Sequence, residues 1–231
     1  MAAIYLIRHG QASFGQENYD ALSPLGEKQS YVLGEGFTKR GISFDKAIHG
    51  GLVRHRQTAE QCLKGMDAQQ GAIQLKTDSG FSEYNHAEVI ARLRPDLETH
   101  HAMTRYLASQ PEPRKAFQLL FADAIERWIS GDYDQEYSEP WTGFQQRCAN
   151  GLNNLLQSNA KNIAVFTSGG PISMIMQQVL QCSDQQAIKL SWSIVNASVT
   201  KILFTHDQIS LSYFNDFGYF EQVDPSLITY R

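Results

Sequence analysis

A chain of 231 residues, with 42% hydrophobic and 19% charged residues, can bury a full core as one large domain or as a domain carrying an inserted cap. Its net charge of -4 and pI near 6.0 exclude a global basic field for nucleic acid or anionic lipid, so any anion site must be local. No apolar run approaches the roughly 18 residues that span a bilayer. Cys62, Cys148 and Cys182 are odd in number, widely spaced and in no metal-ligand pattern, which reads as buried free thiols in a reducing compartment. Met1-Ala2-Ala3 enters the first apolar run without a basic n-region or cleavage pattern, so the cytoplasm is the expected location.

The first element is an all-apolar strand, Ile4-Tyr5-Leu6-Ile7, which delivers Arg8-His9-Gly10 at its end. In an open α/β sheet that end faces the ligand crevice. Neutral imidazole can carry a phosphoryl group covalently, guanidinium grips phosphate oxygens through forked charge-assisted bonds, and glycine admits a close backbone approach. A polar, glycine-containing stretch runs from Gln11 to Leu22. Ser23-Pro24 then opens a helix with a capping hydroxyl and proline at its first position, Leu25, Val32, Leu33 and Phe37 form one face, and Gly41 ends it. Phe44 to Ile48 reads as a strand. Leu52 to Met66 reads as a helix with Ala59, Cys62, Leu63 and Met66 buried.

From about Glu88 to Pro140 the texture changes to two helical stretches separated by Gln110-Pro111-Glu112-Pro113, read as an inserted helical cap. Phe117, Leu120, Phe121, Ala124, Ile125 and Trp128 recur at helical spacing as packing surface, and Arg92, Arg94, Arg105 and Arg114 are candidates to meet a substrate or only solvent. Phe144 to Leu156 is amphipathic through Cys148, Leu152, Leu155 and Leu156. Ile163-Ala164-Val165-Phe166 is a second apolar strand, running through Thr167-Ser168-Gly169-Gly170-Pro171 into a helix from about Ile172 to Leu180. A strand, glycine turn and helix in that order present free amides and a helix dipole to an anion. Thr200 to Phe204 and Ile209 to Phe214 form a hairpin around Thr205-His206-Asp207-Gln208. Strands alternating with helices predict a three-layer α/β sandwich, a mostly parallel sheet covered on both faces.

These residues resemble the histidine phosphatase superfamily, also called phosphoglycerate mutase-like. The resemblance rests on Arg8-His9-Gly10, Leu22-Ser23-Pro24-Leu25-Gly26-Glu27-Lys28-Gln29, Leu52-Val53-Arg54-His55-Arg56-Gln57-Thr58-Ala59, Phe81-Ser82-Glu83, Asn196-Ala197-Ser198-Val199 and Phe214-Asn215-Asp216, in that order. It implies one phosphoglycerate mutase-like domain over residues 1–231 and a metal-independent phosphomonoesterase without cofactor. His9 would attack phosphorus, Arg8 and Arg54 would hold the phosphoryl oxygens, and Glu83 would protonate the leaving oxygen and then activate water. Ser168, Gly169 and Ser13 join Arg8 and Arg54 as candidate substrate-binding residues. The expected partner is a small phosphorylated molecule, with a phosphoprotein or a second copy of the chain as further options.

Two departures bear on activity. Members usually carry a second histidine in a His-Gly-Gly turn after the late strand, where this chain has Ser168, and many have Thr or Ser where it has Ala12. Loss of one oxyanion donor costs about 2.7 to 4 kcal/mol, roughly 100- to 1000-fold in rate. Ser168 keeps a hydroxyl donor, the Gly169 and Gly170 amides can still point at the anion, and His86 is a candidate to compensate. The alternatives are an impaired phosphate-binding or regulatory module, mutase-type phosphoryl transfer, and Ser168 as an acyl-transfer nucleophile. A mutase would need more anion ligands than this set displays, and Phe166 breaks the Gly-x-Ser-x-Gly pattern.

Overall fold

The computed structural model describes residues 1–13, 20–66, 73–206 and 208–230. Residues 14–19 of the expected polar stretch, and Asp207 of the expected hairpin turn, lie outside the described residues. The chain forms two compact units, Met1–Glu83 with Arg147–Arg231, and Tyr84–Gln146.

The first unit contains β1 (Ala2–Arg8), α1 (Pro24–Lys39), β2 (Lys46–His49), α2 (Val53–Gly65) and β3 (Leu75–Thr77) before the second unit intervenes. The second unit contains α3 (His86–Leu93), α4 (His100–Ala108) and α5 (Pro113–Ser130). Helix α6 (Trp141–Leu156) contributes residues 141–146 to the second unit and 147–156 to the first. The first unit then adds β4 (Asn162–Thr167), α7 (Gly169–Leu180), α8 (Asp184–Ser193), β5 (Val199–Phe204), β6 (Ile209–Asp216) and α9 (Gly218–Val223).

The sheet runs β3-β2-β4-β1-β5-β6. Its first four strands are mutually parallel, and β5 and β6 add antiparallel pairs at one side. Alternation along β1 divides its side chains between two cores. Ala3, Tyr5 and Ile7 pack with Phe37, Ala59, Cys62 and Phe220 from α1, α2 and α9, while Ile4 and Leu6 pack with Leu152, Leu155, Ile172 and Ile175 from α6 and α7. In β4, Ala164 and Phe166 join the first core and Ile163 and Val165 the second. This is the three-layer arrangement the alternating elements predict, and it explains why both central strands are apolar throughout.

Local signals act as expected at α1, where Ser23 accepts the Gly26 amide at 3.1 Å and Gly41 follows with φ of 63°. Three elements escape the sequence reading: β3, α8 and α9. The thiols of Cys62 and Cys148 are buried and that of Cys182 is only half-buried, and none of the three is in a disulfide.

In the second unit the first expected helical stretch is broken into α3, a 3₁₀ turn at Pro95–Leu97, and α4. Pro95 ends α3, because proline disfavours helical geometry in the residue before it. Helix α5 buries Leu120, Phe121, Ala124, Ile125 and Trp128, and Phe117 stacks on Phe121 at 5.9 Å. Trp128 centres an aromatic cluster with Tyr84, Trp141 and Phe144, its indole N–H donating to the Glu139 carbonyl at 3.0 Å. Three of the arginines have local partners, Arg92 with Glu88, Arg94 with Asp96 and Arg105 with His101.

Candidate active site

Strand β1 and strand β4 are paired to their last residues, Arg8 opposite Thr167, and both chains then leave the sheet side by side. The His9 amide donates to the Thr167 carbonyl at 2.8 Å, and the His9 carbonyl is held by the Ala197 amide at 3.1 Å and the Asn196 side-chain amide at 3.2 Å. Ala197 reaches that position with φ of 57°, a left-handed conformation that costs an L-residue about 1 to 2 kcal/mol. Backbone strain at Ala197 thus buys a fixed seat for His9. The next amide, Gly10 N–H, donates to Thr58 Oγ1 at 3.0 Å, and Thr58 donates to the Arg54 carbonyl at 2.7 Å, so α2 is tied to the loop after β1.

The His9 ring is buried, with Nδ1 only 2.7 Å from the Gly10 carbonyl oxygen. A carbonyl only accepts, so Nδ1 carries the proton and Nε2 keeps its lone pair. Burial first, then the positive charges of Arg54 and Arg8 and the neighbouring His55, push the imidazole well below its ordinary value of 6.5. The ring is therefore neutral near pH 7.

Arg8 is buried and its guanidinium donates to the Ile194 carbonyl. Arg54, also buried, makes a 2.7 Å ion pair with Asp20, whose other carboxylate oxygen accepts the Val53 amide at 2.9 Å and caps α2. Glu83 Oε2 accepts the Gly170 amide at 3.2 Å, so one of the two expected anion-facing amides is engaged in holding this carboxylate. Ser13 donates its hydroxyl to the Leu22 carbonyl at 3.0 Å beside the Ala12–Leu22 bridge, which commits its only proton there rather than to an anion.

The sequence assigns His55 no role beyond its motif, yet its Nε2 lies 2.6 Å from Ser168 Oγ and its ring 5.8 Å from that of His9. The signal was present. His55, Ala59 and Cys62 follow one helical stripe, which places an imidazole on the buried face of α2. His86, the expected compensating residue, is the first residue of α3 in the second unit. Among the described residues no three His, Cys, Asp or Glu side chains converge as a metal site, and no helix is long and apolar enough to cross a membrane.

The sequence matches the family model "Histidine phosphatase superfamily (branch 1)" over residues 4–217. The chain belongs to this superfamily. A relative, the broad-specificity phosphatase YOR283W of Saccharomyces cerevisiae, is 27% identical over 211 residues, covering 88% of this chain and 80% of its own. Among solved structures, phosphoglycerate mutase from Bacillus anthracis superposes with a TM-score of 0.65 at 18% identity, covering 96% of each chain. Phosphoserine phosphatase from Entamoeba histolytica, crystallised with phosphoserine, gives 0.65 at 19% identity, covering 95% of this chain and 99% of its own. The alpha-ribazole phosphatase of Shigella flexneri gives 0.60 at 16% identity, covering 93% of this chain and 96% of its own. At these identities the superpositions establish the fold, while the histidine phosphatase membership comes from the sequence match.

Proposed function

We propose that this chain is a phosphomonoesterase that hydrolyses small phosphate esters through a phosphohistidine at His9. The observation that carries the reading is the 2.7 Å bond from His9 Nδ1 to the Gly10 carbonyl, which leaves a neutral ring with a free Nε2 lone pair beside two buried guanidinium groups. Nε2 attacks phosphorus and the ester P–O bond breaks. Arg8 and Arg54 hold the nonbridging oxygens, so the required positive charge comes from side chains and the step needs no metal. Glu83 enters the step as the carboxylic acid and gives its proton to the leaving oxygen; as the carboxylate it then takes a proton from the water that attacks the phosphohistidine, releasing inorganic phosphate and neutral His9.

Support for hydrolysis over mutase-type transfer lies in the cationic side chains that act on His9, which among the described residues are Arg54 and Arg8. The broad-specificity phosphatase among its relatives agrees with hydrolysis as well. The buried thiols of Cys62 and Cys148 fit a reducing compartment such as the cytoplasm.

The test is hydrolysis of a chromogenic aryl phosphate and a panel of natural phosphomonoesters, with chelator present, by wild type and His9→Ala. Turnover that vanishes in the variant supports the reading, and the best natural ester names the substrate class. A folded wild type that binds phosphate but turns over none of these esters leaves a phosphate-binding module instead.

A further inference from the structure

Ser168 stands at the N-cap of α7 but does not cap it. Its side chain makes no bond to the first amides of the helix and lies 2.6 Å from Nε2 of His55. Serine at this position ordinarily turns its oxygen onto the N2 or N3 amide, so the observed partner replaces a local bond with one between two helices. Both residues are fully buried. Because Arg8 is opposite Thr167, Ser168 and His9 are the next residues beyond the paired ends of β4 and β1.

The protons of the pair can be assigned. Among the described residues Nδ1 of His55 has no hydrogen-bond partner. A buried N–H without an acceptor is the costlier orphan, so the proton belongs on Nε2, which donates to Ser168 Oγ. Ser168 then has its own O–H left to give. Bonds in such a chain polarise one another, so a hydroxyl that accepts from an imidazole is a stronger donor to an oxyanion.

We propose that His55 and Ser168 form a coupled donor pair, in which the Ser168 hydroxyl bonds a phosphoryl oxygen opposite His9 and His55 is the positioning residue that orients and polarises it. The inference rests on the phosphatase reading above. The imidazole is carried on α2 and reaches the anion through the Ser168 hydroxyl. Burial first, then the Arg54 charge and His49, hold His55 well below its ordinary 6.5, so the pair stays neutral near pH 7. Ser168 as a nucleophile activated by His55 is disfavoured by its backbone: φ of -121° and ψ of 176° are relaxed extended values, without the strain of a nucleophile elbow.

The test is a double-mutant cycle on aryl phosphate turnover with His55→Ala, Ser168→Ala and the double variant, together with orthovanadate affinity and His55→Gln, which keeps an N–H donor. Each single alanine variant should lose about 100-fold in kcat. The double variant should lose no more than Ser168→Ala alone, and His55→Gln should recover at least tenfold over His55→Ala without moving the pH profile. Losses that multiply in the double variant, or His55→Ala with wild-type kcat, would overturn the pair while leaving the phosphatase reading intact. If wild type proves inactive, the phosphatase reading fails by itself, and the pair is judged on vanadate affinity by the same criterion of coupled or independent losses. Labelling of wild type at Ser168 by a fluorophosphonate, abolished in His55→Gln, would overturn the donor role in favour of a nucleophile.

Discussion

Asp20 binds Arg54 at 2.7 Å through one carboxylate oxygen while its other oxygen caps α2 at the Val53 amide. One side chain thus fixes both the helix that carries the guanidinium and the guanidinium itself. Asp20→Ala should cost about 1 kcal/mol of stability through the lost cap. It should also raise KM for phosphate esters more than it lowers kcat, because a misoriented Arg54 weakens ground-state and transition-state binding alike. Steady-state kinetics and a denaturant midpoint check both, and a kcat loss with KM unchanged would contradict this role.

Thr58 is the fully buried link between α2 and the loop after β1, accepting from Gly10 and donating to the Arg54 carbonyl. Thr58→Val keeps the shape and strands the Gly10 amide, a penalty of about 1 to 3 kcal/mol. The melting temperature should drop accordingly, and kcat should fall with it because His9 is the neighbour of the released amide. Wild-type stability in Thr58→Val would show that the amide finds another partner.

A Cβ on Gly10 would lie 2.4 Å from the Gly26 carbonyl oxygen and 2.8 Å from Ser30 Oγ. The nearer obstacle is helix backbone and cannot rotate away. Gly10→Ala should therefore push α1 off the nucleophile loop and yield little folded protein, read by expression level and circular dichroism. Normal folding would mean that α1 can retreat without harm.

Burial and the Arg54 charge hold both His9 and His55 well below the ordinary 6.5. In the unfolded chain these rings take up protons near pH 6.5, and in the folded chain only at lower pH, so over that interval the unfolded state binds more protons. Stability is then fully present above 6.5 and is lost as pH falls below it. Denaturant midpoints should decline from about pH 7 to about pH 5.5, less steeply in His9→Ala and in His55→Gln. For the free enzyme, kcat/KM should show no acid limb at 6.5, since His9 is already neutral there. Slopes equal to wild type in both variants would contradict the assignment.

The central fold was legible because its signals are local. Ile4 to Ile7 and Ile163 to Phe166 are apolar on both faces, and Ser23, Pro24 and Gly41 mark both ends of α1. Strand β3 was missed because its three residues at the sheet edge are mostly exposed, leaving no alternation to read. Helix α8 buries only Ala187 and Ile188, so its stripe is faint, although the capping box of Ser183 with Gln186 announces it. At the site, Arg8, His9 and Arg54 stood in recognisable motifs. Asp20 reaches Arg54 across 34 positions of sequence and Ser168 meets His55 across 113, and no periodicity records such contacts. The tethers on the His9 carbonyl from Asn196 and Ala197 were hidden for the same reason.

The most direct test of the account is to quench the enzyme during turnover of a radiolabelled phosphate ester and locate the bound phosphate. An acid-labile, base-stable phosphoenzyme on the peptide containing His9, absent from folded His9→Ala together with turnover, is the predicted result. Turnover that persists in folded His9→Ala, or a bound phosphate on any other residue, would contradict it.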